Sequence, residues 1–139
     1  MKKFEYLHVV SFEETNLVGN VYFANYLKWQ GRCRELFLKA HVPDLLSSLE
    51  NQTLALVTLE CSCKYLDEAK AFDEIRVCLF LEKIVQNRVN MRFEYYKQTQ
   101  GGATLIANGI HKIGCYRRLE KGLTPVPVPK QLKDVLNSP

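Results

Sequence analysis

Apolar residues change rhythm twice along the chain. From Phe4 to Phe12 they alternate loosely with polar ones and no helix start signal precedes them, so this segment reads as a first strand. Glu13, Glu14, Thr15 and Asn16 interrupt it, and Gly19 with Asn20 supplies a turn. From Tyr22 to Ala40 the spacing becomes helical. Tyr26, Trp29, Cys33, Phe37 and Ala40 form one stripe and Leu27, Leu36 and Leu38 widen it, so protein is expected to cover this helix on several sides. Gly31 interrupts the helix at a cost of about 1 kcal/mol relative to alanine, which predicts close packing there, by a strand before a ligand. Pro43 suits a first helical turn and opens a second, short helix from Pro43 to Leu49.

Beyond Asn51 the period shortens to two. Strands are expected over Leu54 to Tyr65, then Ile75 to Glu82, then Val89 to Tyr96, then Thr104 to Tyr116, following one another as hairpins. Asp67 to Ala71 is a charged connection, and Gly101 and Gly102 make the last turn. A long apolar helix and a twisted antiparallel sheet cover each other when the sheet curls around the helix. The pattern therefore predicts an α+β fold with a curved five-stranded sheet wrapped around a long central helix. The 139 residues fit a single domain spanning 1–139. From about Gly122 the alternation of Pro125, Pro127 and Pro129 with valines predicts an extended path outside the sheet, with a helical turn at Gln131 to Leu136.

A net charge of +4 without a basic cluster in a binding motif argues against nucleic acid, yet suits an acidic protein partner or a nucleotide. No apolar run is long enough for a membrane span, and no signal peptide opens the chain. The five cysteines, Cys33, Cys61, Cys63, Cys78 and Cys115, read as reduced, buried thiols of a cytoplasmic protein. No second pair joins Cys61 and Cys63, so no metal is expected. A cysteine nucleophile would need a base, and His8, His41 and His111 are all remote in sequence.

The densest information lies between Phe12 and Phe37. There Asn16, Leu17, Val18 and Gly19 are followed by Val21, Tyr22, Phe23, Asn25, Tyr26 and Trp29, with Arg34 further along the helix. This string resembles the first loop and central helix of hotdog-fold acyl thioesterases of the 4-hydroxybenzoyl-CoA thioesterase type. Within them it is most similar to the thioesterases of enediyne polyketide synthases. The former carry an aspartate at the position of Asn16. An amide can neither attack a thioester nor take a proton at neutral pH, so the acid-dependent chemistry is closed to Asn16.

The resemblance implies a hotdog thioesterase releasing a polyketide or fatty acyl chain from an acyl carrier protein. For the enediyne branch the substrate would be a conjugated polyenyl β-keto thioester, its acid then losing carbon dioxide to leave a methyl ketone. It also implies that the Phe23 backbone amide is an oxyanion donor, that no cofactor is needed, and that the chain forms a homo-oligomer. A tetramer of paired dimers is expected, with Thr58 and Leu59 facing a neighbour's site. An acyl-CoA thioesterase, or an acyl-binding protein without activity, are the competing readings.

Several residues keep two readings at this stage. Asn16 either contacts substrate or satisfies its own turn. Arg34 shares a helix side with Leu27, Gly31 and Leu38, where an unpaired guanidinium is costly, so it either meets a carboxylate such as Glu14 or Glu60 or clamps an anion. Arg32 faces outward. Tyr26 either orients the reacting groups or is a core aromatic with its hydroxyl at the rim, and Asn25 is structural. Gly19, Tyr22, Leu27 and Gly31 complete the expected substrate contacts. Glu35 is the alternative base, competing with an ion pair to Lys39, and Glu13 or Glu14 could be brought in by loop closure.

Overall fold

A computed structural model describes residues 3–139. Strand β1 (Phe4–Val9) leads through a short 3-10 turn (Phe12–Glu14) to helix α1 (Ala24–His41) and helix α2 (Pro43–Glu50). Strands β2 (Ala55–Tyr65), β3 (Glu74–Val85), β4 (Arg88–Thr99), β5 (Gly102–Leu119) and β6 (Gly122–Pro125) follow, and helix α3 (Lys130–Leu136) ends the chain. The five expected strands all form, and the sheet wraps α1 as in a hotdog fold.

The expected stripe is the buried one at four of its five positions. Tyr26, Trp29, Cys33 and Phe37 are at most 3% exposed and pack on Val77, Leu79, Phe93 and Tyr95 of the sheet. Ala40 is exposed, although Phe4 of β1 still packs on His41 in the last turn of α1. Along β4, Val89, Met91, Phe93 and Tyr95 are buried, the parity that alternation predicts. Tyr95 donates its hydroxyl to the Tyr26 carbonyl at 2.7 Å, tying the first turn of α1 to the middle of the sheet. Register shifts in β2, β3 and along the β4–β5 ladder mark bulges, which bend a sheet and let it curl.

Strand order corrects the expected hairpin succession. The order is β1-β3-β4-β5-β2, so β2 pairs with β5 at one edge while β3 lies beside β1. Alternation reports which face a strand buries, and both orders bury the same faces. The connection 66–73 therefore crosses from one side of the sheet to the other. On the way its backbone fastens the loop before α1: Val21 N donates to Ala69 O at 2.8 Å, and Asn20 bridges Lys70.

The tail also departs from expectation. Gly122–Pro125 pairs with β5 as a sixth strand, after which Val128 and Leu132 are buried against the core. Cys61 is exposed and Cys63 half-buried because β2 is an edge strand, whereas Cys33, Cys78 and Cys115 are buried as expected.

Gly109 of β5 sits where Gln30 of α1, fully buried, donates to the Ser62 carbonyl at 3.0 Å. A Cβ on Gly109 would overlap both the Gln30 amide and that carbonyl. Gly109→Ala is expected to destabilise the fold by about 1–3 kcal/mol in chemical denaturation, as overpacking does. Gly101→Ala, where a Cβ meets nothing within 4 Å, should stay within about 0.5 kcal/mol of the parent.

Candidate functional site

The loop before α1 is built on Glu14. Its carboxylate accepts from His8 Nε2 at 2.8 and 3.0 Å, Trp29 Nε1 at 2.7 Å and the Ser11 amide at 2.9 Å. Its carbonyl accepts from Asn25 Nδ2 and the Tyr22 amide, each at 2.8 Å. Burial alone would raise the Glu14 pKa, but the hydrogen bonds from Ser11, His8 and Trp29 outweigh it and hold the carboxyl below its ordinary value. Glu14 is thus an occupied structural anion. Asn25 is structural as expected.

Asn16 closes its own turn: Oδ1 accepts from the Val18 amide at 3.0 Å, its carbonyl accepts from Gly19 and its amide donates to Asn20. Gly19 takes φ +91°, a value that favours glycine. The loop delivers the chain to α1 without a side-chain cap, and the Phe23 and Ala24 amides have no acceptor among the described residues. Free amides at a helix start are suited to a developing negative charge. Beside them Tyr22 and Phe23 are exposed, while Tyr26 is buried against Trp29 and Tyr65, each ring 5.0 Å away. Tyr65 donates to the Phe23 carbonyl at 2.9 Å. Burial pushes the Tyr26 hydroxyl up to about 12, so at neutral pH it is a phenol and a donor.

A second set of residues lies further along α1. A groove of about 550 Å³ is lined by Lys28, Gly31, Arg32, Arg34, Glu35 and Leu38 of α1, Leu46 and Leu49 of α2, and Leu56 of β2, so Arg32, although exposed and paired with Glu35, also borders it. Gly31 faces this groove with nothing within 4 Å of where a Cβ would stand, which corrects the expected close strand. Arg34 Nη1 donates to Thr58 Oγ1 at 3.0 Å and to His111 Nδ1 at 3.4 Å. Thr58 therefore meets the arginine of its own chain, and Leu59 beside it falls at the β2 bulge, 41% exposed.

None of the expected carboxylates reaches Arg34. Glu14 is held as above, Glu60 pairs with Lys112 at 2.9 Å, and Glu35 pairs with Arg32 at 2.7 Å instead of with Lys39. Burial lowers the Arg34 pKa from its ordinary value, but a guanidinium remains charged at any physiological pH.

His111 lies 77 positions from Arg34 in the sequence. Its register in β5 places it opposite Met91 of β4 and Cys61 of β2, with the Phe93 ring 4.6 Å away. Burial first, and the Arg34 charge second, bring its pKa down to about 4, so the ring is neutral and accepts the Arg34 hydrogen. The available signal was parity, since His111 shares the inward face of its strand with Ile113 and Cys115. Among the described residues no three His, Cys, Asp or Glu side chains lie together as a metal site.

The expected site residues thus fall into two groups. Asn16, Gly19, Tyr22, Phe23 and Tyr26 surround the start of α1. Gly31, Arg34, Glu35 and Thr58 line or border the groove, about three turns on and about 16 Å from Phe23 at the helical rise of about 1.5 Å per residue. Leu27 is half-buried between the groups.

Residues 10–136 match the family described as the thioesterase-like superfamily. The chain belongs to the thioesterase-like superfamily. A curated relative, the 1,4-dihydroxy-2-naphthoyl-CoA hydrolase of Thermosynechococcus vestitus, is 26% identical over 90% of this chain and 84% of its own. Among solved structures, the dynemicin thioesterase, described with induced-fit and allosteric effects upon polyene binding, is 45% identical with a TM-score of 0.92. That match covers 97% of this chain and 95% of the other. A 4-hydroxybenzoyl-CoA thioesterase, solved as an Asp-to-Asn variant with 4-hydroxybenzoyl-CoA, shares the fold at 16% identity and a TM-score of 0.87, covering 99% of this chain and 100% of its own.

The chain thus has free amides at the start of α1, an arginine bordering a leucine-lined groove, and the Glu14 carboxylate committed to structure. His111 ties stability to pH. An unfolded imidazole takes a proton near 6.5 and the native one near 4, so between these values the unfolded state binds more protons and stability falls as pH falls. Glu14 acts in the same direction lower down: its depressed pKa stabilises the native state above the ordinary value of 4.5, and this is lost as the carboxylate protonates. Denaturation midpoints should be flat between about pH 7 and 8 and fall below that range, with His111 contributing up to about 3 kcal/mol by pH 4. They should fall again above about pH 9, where burial holds the Cys33, Cys63 and Cys115 thiols protonated after their unfolded counterparts ionise. His111→Asn should shrink the loss between pH 6.5 and 4 while leaving the Glu14 part.

Proposed function

We propose that this thioesterase releases a polyenyl or other polyketide β-keto acyl chain from the phosphopantetheine arm of an acyl carrier protein, through sites shared between two copies of the chain. The carrying observation is Arg34. It is a part-buried cation that borders a groove lined by four leucines, and among the described residues its hydrogen bonds go to neutral groups, Thr58 and His111. An anion formed during reaction is the natural complement of such a charge.

Water attacks the thioester carbonyl carbon and the C–S bond breaks; one proton of that water leaves on the thiol, the other passes to solvent, and the chain departs as a carboxylate. The Phe23 and Ala24 amides steady the oxyanion, with Tyr26 and Asn16 as neighbouring polar groups. Arg34 attracts first the oxyanion and then the carboxylate, and Leu38, Leu46, Leu49 and Leu56 receive the chain. A β-keto acid released in this way loses carbon dioxide to give a methyl ketone and needs no cofactor for that step.

Because about 16 Å of helix separates the two groups within a chain, one carbonyl cannot meet both from one copy. A second copy, placing its Arg34 beside the first copy's helix start, completes the site. Two features support such pairing. The far edge of β2 has no strand partner in the sheet, and Phe12, Leu17, Val18, Tyr22 and Phe23 are all at least 50% exposed. We infer a homo-oligomer, with a tetramer of paired dimers as its form and the cytoplasm as its place. The likeness to the dynemicin thioesterase favours a polyenyl chain, and the net positive charge suits an acidic carrier. The second reading, an acyl-CoA hydrolase, draws on the naphthoyl-CoA relative.

Thiol release from matched acyl-carrier and acyl-CoA substrates tests both. Arg34→Ala should lower kcat by about 100-fold or more, the loss typical of a removed oxyanion contact. Mixing Arg34→Ala with Asn16→Ala subunits should restore activity that neither variant has alone. Full rate in Arg34→Ala together with loss in Glu35→Gln would make Glu35 the base, and a strong preference for CoA would assign the second reading.

A further inference from the structure

Resting on the reading of Arg34 as an anion clamp, we propose that His111 is the positioning residue that aims it. A guanidinium carries five N–H donors. Both hydrogens of Nη1 are taken, one by Thr58 Oγ1 at 3.0 Å and one by His111 Nδ1 at 3.4 Å. Nε and Nη2 have no acceptor among the described residues. They form the edge that offers two parallel hydrogen bonds to a carboxylate or a tetrahedral oxyanion.

One acceptor on Nη1 would leave the guanidinium plane free to turn about that bond. Two acceptors on the same nitrogen, from two different strands, fix the plane and hence the direction of the open edge. Thr58 stands on the edge strand β2, where it is exposed. His111 is the stiffer of the two supports, 5% exposed and packed on Phe93, with Met91 and Cys61 as its neighbours across the ladders.

The residue type matters as much as the place. A carboxylate at position 111 would orient Arg34 equally well but would neutralise it and fill the role meant for the substrate anion. A neutral imidazole accepts the hydrogen and leaves the full positive charge facing outward. This requires the proton on Nε2 and the lone pair on Nδ1. The titratable groups around it are Arg34 from α1 and Cys61 from β2, and among the described residues no carboxylate hydrogen-bonds the ring.

The test is steady-state thiol release from an acyl carrier substrate by the full chain, with His111→Leu and His111→Asn made alone and in the Arg34→Ala background. His111→Leu should lower kcat on the order of 10-fold, as loss of a hydrogen bond to a charged group does. His111→Asn, whose Oδ1 reaches the place of Nδ1, should stay within about 3-fold, and His111→Leu should add no further loss to Arg34→Ala, since coupled residues are not additive. Full rate in His111→Leu, or an equal loss with and without Arg34, overturns the proposal. Full rate in Arg34→Ala would show instead that the clamp reading itself has failed, and the proposal with it. Nitrogen-15 spectra of the imidazole in the unaltered protein need no variant that folds: at pH 7 they should show the neutral Nε2–H form, and an Nδ1–H form or an imidazolium would overturn the assignment.

Discussion

The length of α1 is the constraint from which the rest of the arrangement follows. Its buried stripe, Tyr26 to Phe37, needs a sheet along most of the helix, and the sheet's bulges let it curl to meet that need. A rod held in this way keeps its start and the Arg34 position from approaching each other. The free amides are fixed at its start, and the guanidinium is fixed about three turns later. The same rigidity that orients each group keeps the helix start and the Arg34 side chain at a fixed separation within one chain.

Electrostatics divides the labour between the carboxylates and the cation. Glu14 gains hydrogen bonds from a strand, a 3-10 turn and the helix, so it welds the loop to the sheet and fixes the entry into α1. A carboxylate satisfied this fully has little free lone-pair capacity and a depressed proton affinity, both of which suit a structural anion. Arg34 is treated oppositely. Its partners are a hydroxyl and a neutral ring, so its charge is oriented without being cancelled. In a half-buried setting an uncancelled charge acts more strongly on an incoming anion than it would in bulk water.

The pattern of the chain made α1, its buried stripe and the five main strands legible, because helical and strand periods differ and each element shows its own. The Asn16 to Trp29 string marked the loop-helix segment, and the character of Asn16 as an amide followed directly from the residue. Ends of elements were less readable: the first strand stops at Val9, and the chain then turns through Phe12–Glu14 under the pull of the Glu14 hydrogen bonds.

What periodicity does not encode is which strand lies beside which, and there the tertiary structure decided. Placing β2 beside β5 brought Thr58 and His111, 53 positions apart, to the same guanidinium nitrogen. It also left Glu60 to Lys112 and Cys61 to the open edge. The sequence by itself determined the elements, their buried faces and the absence of an acid at position 16, since these depend on residue type and local spacing. The partners of Arg34 were decided only by the fold, because a hydrogen bond between distant residues depends on strand order, and many strand orders satisfy one and the same alternation.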